Sequence, residues 1–318
     1  VKRLQRLRRT AALRDLVAEV GFGRGQLVQP VFAIEGITSA EPVPGLGEGV
    51  RQPLATLGAQ LERDLEAGVR QFLLFGVGAQ RTDSGAGHEF TLAAIAEARR
   101  HLGAESTLWV DTCLCSITTT GHCHLHAADG HADLERTLDT LARHAVDYAA
   151  AGAQGIAPSD MNDGRTAALR AALDAASHGL IPIMSYSSKF ASHLYGPFRL
   201  AADSTPRHGD RRSYQLDVRS RRAAIDASLR CAEEGADLLM VKPAMSSLDL
   251  LAPISERSGK PVGAYQVSGE YAGLALLARE GLVDFEAALL ESWLVLRRAG
   301  AAFIVTYGAR YADRLGLA

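Results

Sequence analysis

The chain has 318 residues, 47% of them hydrophobic, with 34 basic against 36 acidic side chains and a net charge of −2. That length suits two average domains or one large α/β barrel, and the apolar fraction suffices for a substantial core. The near-neutral balance supplies no global field for nucleic acid or an anionic membrane, and no apolar run approaches the ~20 residues that span a bilayer. No signal-type leader is seen, so a cytoplasmic protein acting on a small polar ligand is expected.

The basic start, KRLQRLRRTAALRDL, sets Lys2, Arg3, Arg6, Arg8, Arg9 and Arg14 against Asp15. Without interleaved aromatics it reads as a solvated or partner-packing face rather than a nucleic-acid arm. Residues 1–24 are taken as an N-terminal arm and 25–318 as one catalytic domain. Short apolar or β-branched runs predict strands near 27–34, 71–75, 107–111, 154–157, 181–186, 238–241, 261–265 and 303–307. Helical patterns lie between them, at 133–151 with Leu134, Leu138, Leu141, Ala145 and Tyr148 on one face, and at 166–176 and 223–234. Repeated βα alternation requires parallel pairing through crossovers, and eight units close most naturally into a (β/α)8 TIM barrel. A doubly wound open sheet is the alternative.

A barrel should gather its chemistry where strands end. Here those positions carry Asp111 and a cysteine segment, Ser159 and Asp160, Lys189, Lys242, Tyr265 and Ser268, and Tyr307. Lysines closing buried strands enter a protected pocket, where desolvation and a neighbouring cation both favour the neutral amine, a nucleophile for carbonyls. The bland reading of each is a strand-end charge in solvent. The long connection 190–216 exceeds ordinary loop length and reads as a lid, with Arg199 and Arg211 placed as carboxylate clamps. Cys113, Cys115 and Cys123 form C-x-C-x7-C, three thiolates with an open fourth position suited to a catalytic zinc, or else three small residues at a strand end. His122, His124 and His126 lie alongside as fourth-ligand or hydrogen-bonding candidates, and Cys231 reads as core.

The segments DTCLC…TTGHC, APSDMNDGR, MSYSSKFASHLYGPFR, GDRRSYQL, LMVKPAMSSLDL and YQVSGEYA resemble, in order and over nearly the whole chain, those of porphobilinogen synthase, also called 5-aminolevulinate dehydratase. The resemblance implies a lyase that condenses two 5-aminolevulinate molecules to porphobilinogen in tetrapyrrole biosynthesis, on a barrel with an extended arm assembled as a homo-octamer. It implies Schiff bases on Lys242 for the first substrate and on Lys189 for the second. Arg199, Arg211 and Gln215 would hold the second substrate's carboxylate, and Ser268 with Tyr307 the first's. Asp111 would steer protons, Ser159 and Asp160 would line the floor, and Phe198 and Tyr195 the lid side, with Tyr265 at the seventh strand end. The cysteines match the zinc-dependent branch, and no organic cofactor is implied. An allosteric magnesium is not expected, because Ala227 stands where a glutamate would serve it. The chain departs from the family pattern at TTTGHCH, where His124 replaces a glycine, at SAEPVPGLGEGV and at Ala244. The zinc-loop change leaves two other readings, a paralogue that condenses a different amino ketone and a non-catalytic metal-binding relative.

Overall fold

A computed structural model describes residues 4–317; Val1, Lys2 and Arg3 of the expected arm, and Ala318, lie outside the described residues. Eight strands alternate with helices: β1 Leu27–Ile34, β2 Gln71–Val77, β3 Thr107–Thr112, β4 Gly155–Pro158, β5 Met184–Lys189, β6 Leu238–Lys242, β7 Val262–Tyr265 and β8 Phe303–Val305. All neighbours pair in parallel in the order β4-β3-β2-β1-β8-β7-β6-β5. The two ends of that path meet at a bridge between Ile156 and Ile183, so the sheet closes into a barrel rather than remaining open. Strands covered on both faces read as continuous apolar runs, and all eight residues of β1 are buried.

The crossovers are α1 Leu54–Glu66, α2 Glu89–His101, α3 Leu134–Ala150, α4 Arg165–Ala175, α5 Arg221–Glu233 and α6 Leu251–Ser258. Two helices, α7 Ser268–Arg279 and α8 Phe285–Arg298, connect β7 to β8. Asp133 caps α3 by accepting the Arg136 N–H, and the helix buries Thr137, Leu141, His144 and Tyr148. The expected row at Leu134 is corrected: this residue is 42% exposed, standing in the first turn without cover.

Most expected strand bounds shift by one to three residues, and three of the shifts bear on the site. β5 lies three residues later than the expected 181–186, because its serines satisfy their hydroxyls inside the wall. Ser187 Oγ donates to the Met240 carbonyl at 3.3 Å and Ser188 Oγ to that of Ala224 at 2.7 Å, so a polar run becomes a buried strand. β6 extends through Lys242, and β8 ends at Val305, leaving Tyr307 beyond the strand. The 190–216 segment contains a 3-10 turn, His193–Tyr195, and a short helix, Gly196–Ala201, with Pro197 in its first turn. Its two ends are zipped together, with the Leu216 N–H on the Lys189 carbonyl at 3.0 Å and the Ala191 N–H on Leu216 at 2.9 Å. Near the N-terminus, the helix Ala11–Leu16 buries no residue, and Leu16 is 77% exposed. No helix among the described residues is long and apolar enough to cross a membrane.

Candidate active site

Lys189 and Lys242 close β5 and β6, and the ladder pairs them directly across the two strands, so their side chains leave the same face. Both are buried, 5% and 3% exposed. Lys189 Nζ donates to the Ser159 carbonyl at the end of β4. Lys242 Nζ lies 3.9 Å from the Tyr265 ring centre, 5.0 Å from those of Tyr186 and Phe198, and 5.4 Å from that of Tyr195. Burial, and then repulsion from Lys189, pushes the Lys242 amine well below its ordinary pKa.

Asp111, near the end of β3, has its Oδ1 sealed from solvent with no hydrogen-bond partner among the described residues. Burial raises its carboxyl to about 6, while Ser159 and both lysines pull it down. Asp160 is fully buried and already engaged: its Oδ1 accepts the Asn162 N–H at 2.8 Å and Asn162 Nδ2 at 2.7 Å, and its Oδ2 lies 3.8 Å from Arg165 Nε. Since Asn162 Nδ2 also donates to the Cys123 carbonyl at 2.9 Å, Asp160 braces the cysteine loop from below.

The thiols of Cys113, Cys115 and Cys123 converge with their sulfur atoms within 4.8 Å of one another, the one such group of potential metal ligands among the described residues. All three are buried, and Tyr214 packs against them. Hydrogen bonds from Cys113 and Cys115 pull the Cys123 thiol well below its usual value, while the same coupling pushes Cys113 well above it and Cys115 up to about 11, so without an ion the trio favours a thiolate on Cys123 alone. A metal ion fits this donor set, with three soft ligands and no fourth protein ligand grouped with them among the described residues. The loop needs glycine at Gly121, where φ is +71° and a Cβ would stand 2.6 Å from the Thr205 carbonyl of the lid.

Arg199, Arg211 and Gln215 line one cavity of about 250 Å³. Neither side-chain polar atom of Gln215, nor the Nε of either arginine, has a partner among the described residues. Arg211 is anchored by Nη2 to the Gly121 carbonyl at 2.9 Å and to that of Ser204. Burial, and then the charge of Arg211, lowers the Arg199 pKa. Anionic oxygens would relieve both effects.

The lid is down. Phe198 packs edge-on against Phe75 at 5.1 Å, and Tyr195 Oη donates to the carbonyls of Phe190 at 2.7 Å and Lys242 at 3.3 Å. Ser268 Oγ accepts the Phe198 N–H at 3.0 Å and contacts the Leu194 carbonyl at 3.3 Å, so the lid backbone uses its hydroxyl. Tyr307 Oη lies 3.4 Å from Tyr265 Oη. Beside Asp111, Cys113 and Phe198 only about 10 Å³ of space is left. A larger groove of about 700 Å³ is lined by Phe190, Leu194 and Arg212 of the 190–216 segment with Val218 and Pro243, and neither lysine, none of the three cysteines and neither Arg199 nor Arg211 lines it.

Sequence reasoning missed Tyr186, which lies between the amines, 5.6 Å from Lys189 Nζ. Strict alternation puts residues 186 and 189 on opposite faces. β5, however, has one residue more between Ser185 and Ser188 than β6 has between Leu239 and Val241, and this bulge turns both side chains toward Lys242. No sequence signal marks it. Tyr214 was also missed, although its place beside Gln215 in the lid was a cue.

A family model for Delta-aminolevulinic acid dehydratase matches residues 1–315. The chain is 41% identical over 312 residues to the delta-aminolevulinic acid dehydratase of Escherichia coli, covering 97% of this chain and 96% of the relative. It is 40% identical over 312 residues to that of Halalkalibacterium halodurans, covering 97% and 95%. The solved structure of delta-aminolevulinic acid dehydratase (porphobilinogen synthase) from Toxoplasma gondii ME49, in complex with the reaction product porphobilinogen, superimposes with a TM-score of 0.92. It is 33% identical, over 99% of this chain and 91% of that one. The chain belongs to the delta-aminolevulinic acid dehydratase family.

Proposed function

We propose that this member of the family condenses two molecules of 5-aminolevulinate into porphobilinogen with loss of two waters, through imines on Lys242 and Lys189. The observation that carries the reading is the register of β5 and β6, which sets two buried amines side by side on one rim. Imine formation needs a neutral amine to attack the ketone carbon, and a proton to leave with its oxygen as water. Lys242, desolvated and repelled by Lys189, supplies the amine. Asp111, with its carboxyl near 6, takes and returns protons between the two lysines. Each imine draws electrons from the adjacent carbon, so a proton there is lost readily. One carbon–carbon and one carbon–nitrogen bond then join the substrates and free both lysines.

Arg199, Arg211 and Gln215 bind one substrate's carboxylate, supported by their unpaired donors around one cavity. Ser268 and Tyr307 receive the other once the lid backbone releases the Ser268 hydroxyl. Zinc is the ion we assign to Cys113, Cys115 and Cys123, where it would act as a Lewis acid toward a substrate oxygen or nitrogen. Assembly as a homo-octamer through the arm is supported by the uncovered apolar face at Leu16 and Val17, 77% and 45% exposed. A cytoplasmic setting is supported by four cysteines that are all free.

The test is purified protein with zinc, thiol and 5-aminolevulinate, assayed for a pyrrole that reacts with Ehrlich reagent. Borohydride with substrate should fix label on Lys242 before Lys189, and Lys242→Met should lose the first adduct. No pyrrole, or normal trapping in Lys242→Met, would refute the assignment.

A further inference from the structure

The HCHLH run of residues 122–126 places three imidazoles beside the cysteine triad, and the lid adds His208. Exposure falls steadily inward: His208 is exposed, His126 half-buried and His124 only 7% exposed, next to the fully buried Cys123. Ring centres of His208 and His126 are 6.0 Å apart, and those of His126 and His124 are 4.8 Å apart. His124 Nδ1 is buried without a partner among the described residues. The ring of His124 packs at 4.8 Å on Tyr214, which itself covers the thiols. His122 differs. Its Nδ1 pairs with Tyr214 Oη at 3.1 Å and its Nε2 with the His208 carbonyl at 3.0 Å, so it is a strut that fixes the other rings.

We infer that His208, His126 and His124 form a relay that passes a divalent metal ion from solvent to the cysteine triad. The inference rests on the reading that the triad holds a metal. A hydrated ion cannot reach thiols that are at most 6% exposed without shedding its water, and imidazoles replace those waters one at a time. With metal–nitrogen bonds of about 2.1 Å, an ion sits about 3.2 Å from a ring centre, so two rings up to about 6.4 Å apart can share it during transfer. Both consecutive pairs meet that limit. In the last step the bond to His124 breaks as a bond to the Cys123 sulfur forms, and any thiol proton leaves to water. The relay depends on His124, which stands where the family resemblance leads one to expect glycine.

The experiment is stopped-flow addition of cobalt(II) to metal-stripped protein, following the thiolate-to-cobalt absorption band, and then release of cobalt to a chelator. In His126→Gln and His208→Gln both capture and release should slow several-fold by the same factor, with stoichiometry and final spectrum unchanged. His193→Gln, an exposed histidine elsewhere on the lid, should match the unsubstituted protein. Unchanged rates would overturn the relay, and so would a changed end-point spectrum or affinity, which marks a static ligand. Absence of the band in unsubstituted protein would overturn the metal site itself and the relay with it.

Discussion

Gln215→Met separates binding from structure in a single substitution. Gln215 is 4% exposed, and neither its Nε2 nor its Oε1 has a partner among the described residues. A buried polar atom left unmet costs ~1–3 kcal/mol. The adjoining cavity of about 250 Å³ has room for water, so the low end of that range applies to each atom. Methionine keeps the length of the side chain without its polar atoms, and such volume-conserving swaps cost under ~1.5 kcal/mol. The ligand-free variant should therefore gain ~1 kcal/mol in urea unfolding. Substrate should suffer the opposite effect. A hydrogen bond to a charged acceptor contributes ~1.5–3 kcal/mol, so KM for pyrrole formation should rise roughly ten- to hundredfold, with kcat held within a few-fold. A variant that is less stable, with KM unchanged, would refute the argument and make Gln215 an ordinary packing residue.

Removing the neighbouring cation with Lys189→Met should raise the Lys242 pKa, so the pH midpoint for borohydride trapping at Lys242 should move up; a midpoint that stays or falls contradicts the coupling. Burial raises the Glu270 carboxyl to about 7, against hydrogen bonds from the backbone of Val267, Ser246 and their neighbours. The folded state then keeps a proton that the unfolded state gives up, so stability should fall by roughly 2–3 kcal/mol as pH rises from 4.5 to about 7. Urea midpoints across that range should show this slope, less of it in Glu270→Gln; identical slopes would refute the assignment. Tyr195→Phe removes the hydroxyl tying the lid to the Phe190 and Lys242 carbonyls, a loss of ~1 kcal/mol, and proteolysis within 190–216 should quicken about fivefold. An unchanged cleavage rate would show that the lid is held elsewhere.

Eight strands and the rim of polar residues at their ends were legible because a buried parallel strand leaves a continuous apolar run and then a break. The limits appear where tertiary hydrogen bonds overrule composition. Ser187 and Ser188 fall past the expected strand end at residue 186, yet with Ser185 they are fully buried and bonded within the wall. The site was legible as a set of residues but not as an arrangement. Only the bulge in β5 explains why Tyr186 joins the lysines, and only the Asn162 amide reveals Asp160 as a brace rather than a free carboxylate. Closure of the barrel rests on the contact between Ile156 and Ile183, two residues that nothing in the sequence distinguishes from other apolar positions.

Lys242 ends among aromatic rings rather than carboxylates, and the balance of that setting decides what its amine can do. Rings attract a cation by ~0.5–2 kcal/mol each, most strongly in close contact. Only Tyr265, at 3.9 Å, is that close; the others stand at 5.0 Å or beyond. Withdrawing an ammonium from water costs several kcal/mol, and Lys189 adds repulsion, so the balance shifts toward the neutral amine. The same dryness acts in the opposite sense on Asp111, raising its carboxyl from 3.8 to about 6. Lysine and aspartate, ordinarily at 10.5 and 3.8, are thus driven toward each other by one cause. On the proposed reading, that narrowing eases proton exchange between the two groups. Imine chemistry needs that in both directions, since the amine must lose a proton to attack and the departing oxygen must gain one to leave. A salt-bridged lysine in a wet site would hold its proton and do neither. On the proposed imine reading, the aromatic walls would act chiefly by excluding water, and their attraction for the cation is the smaller effect.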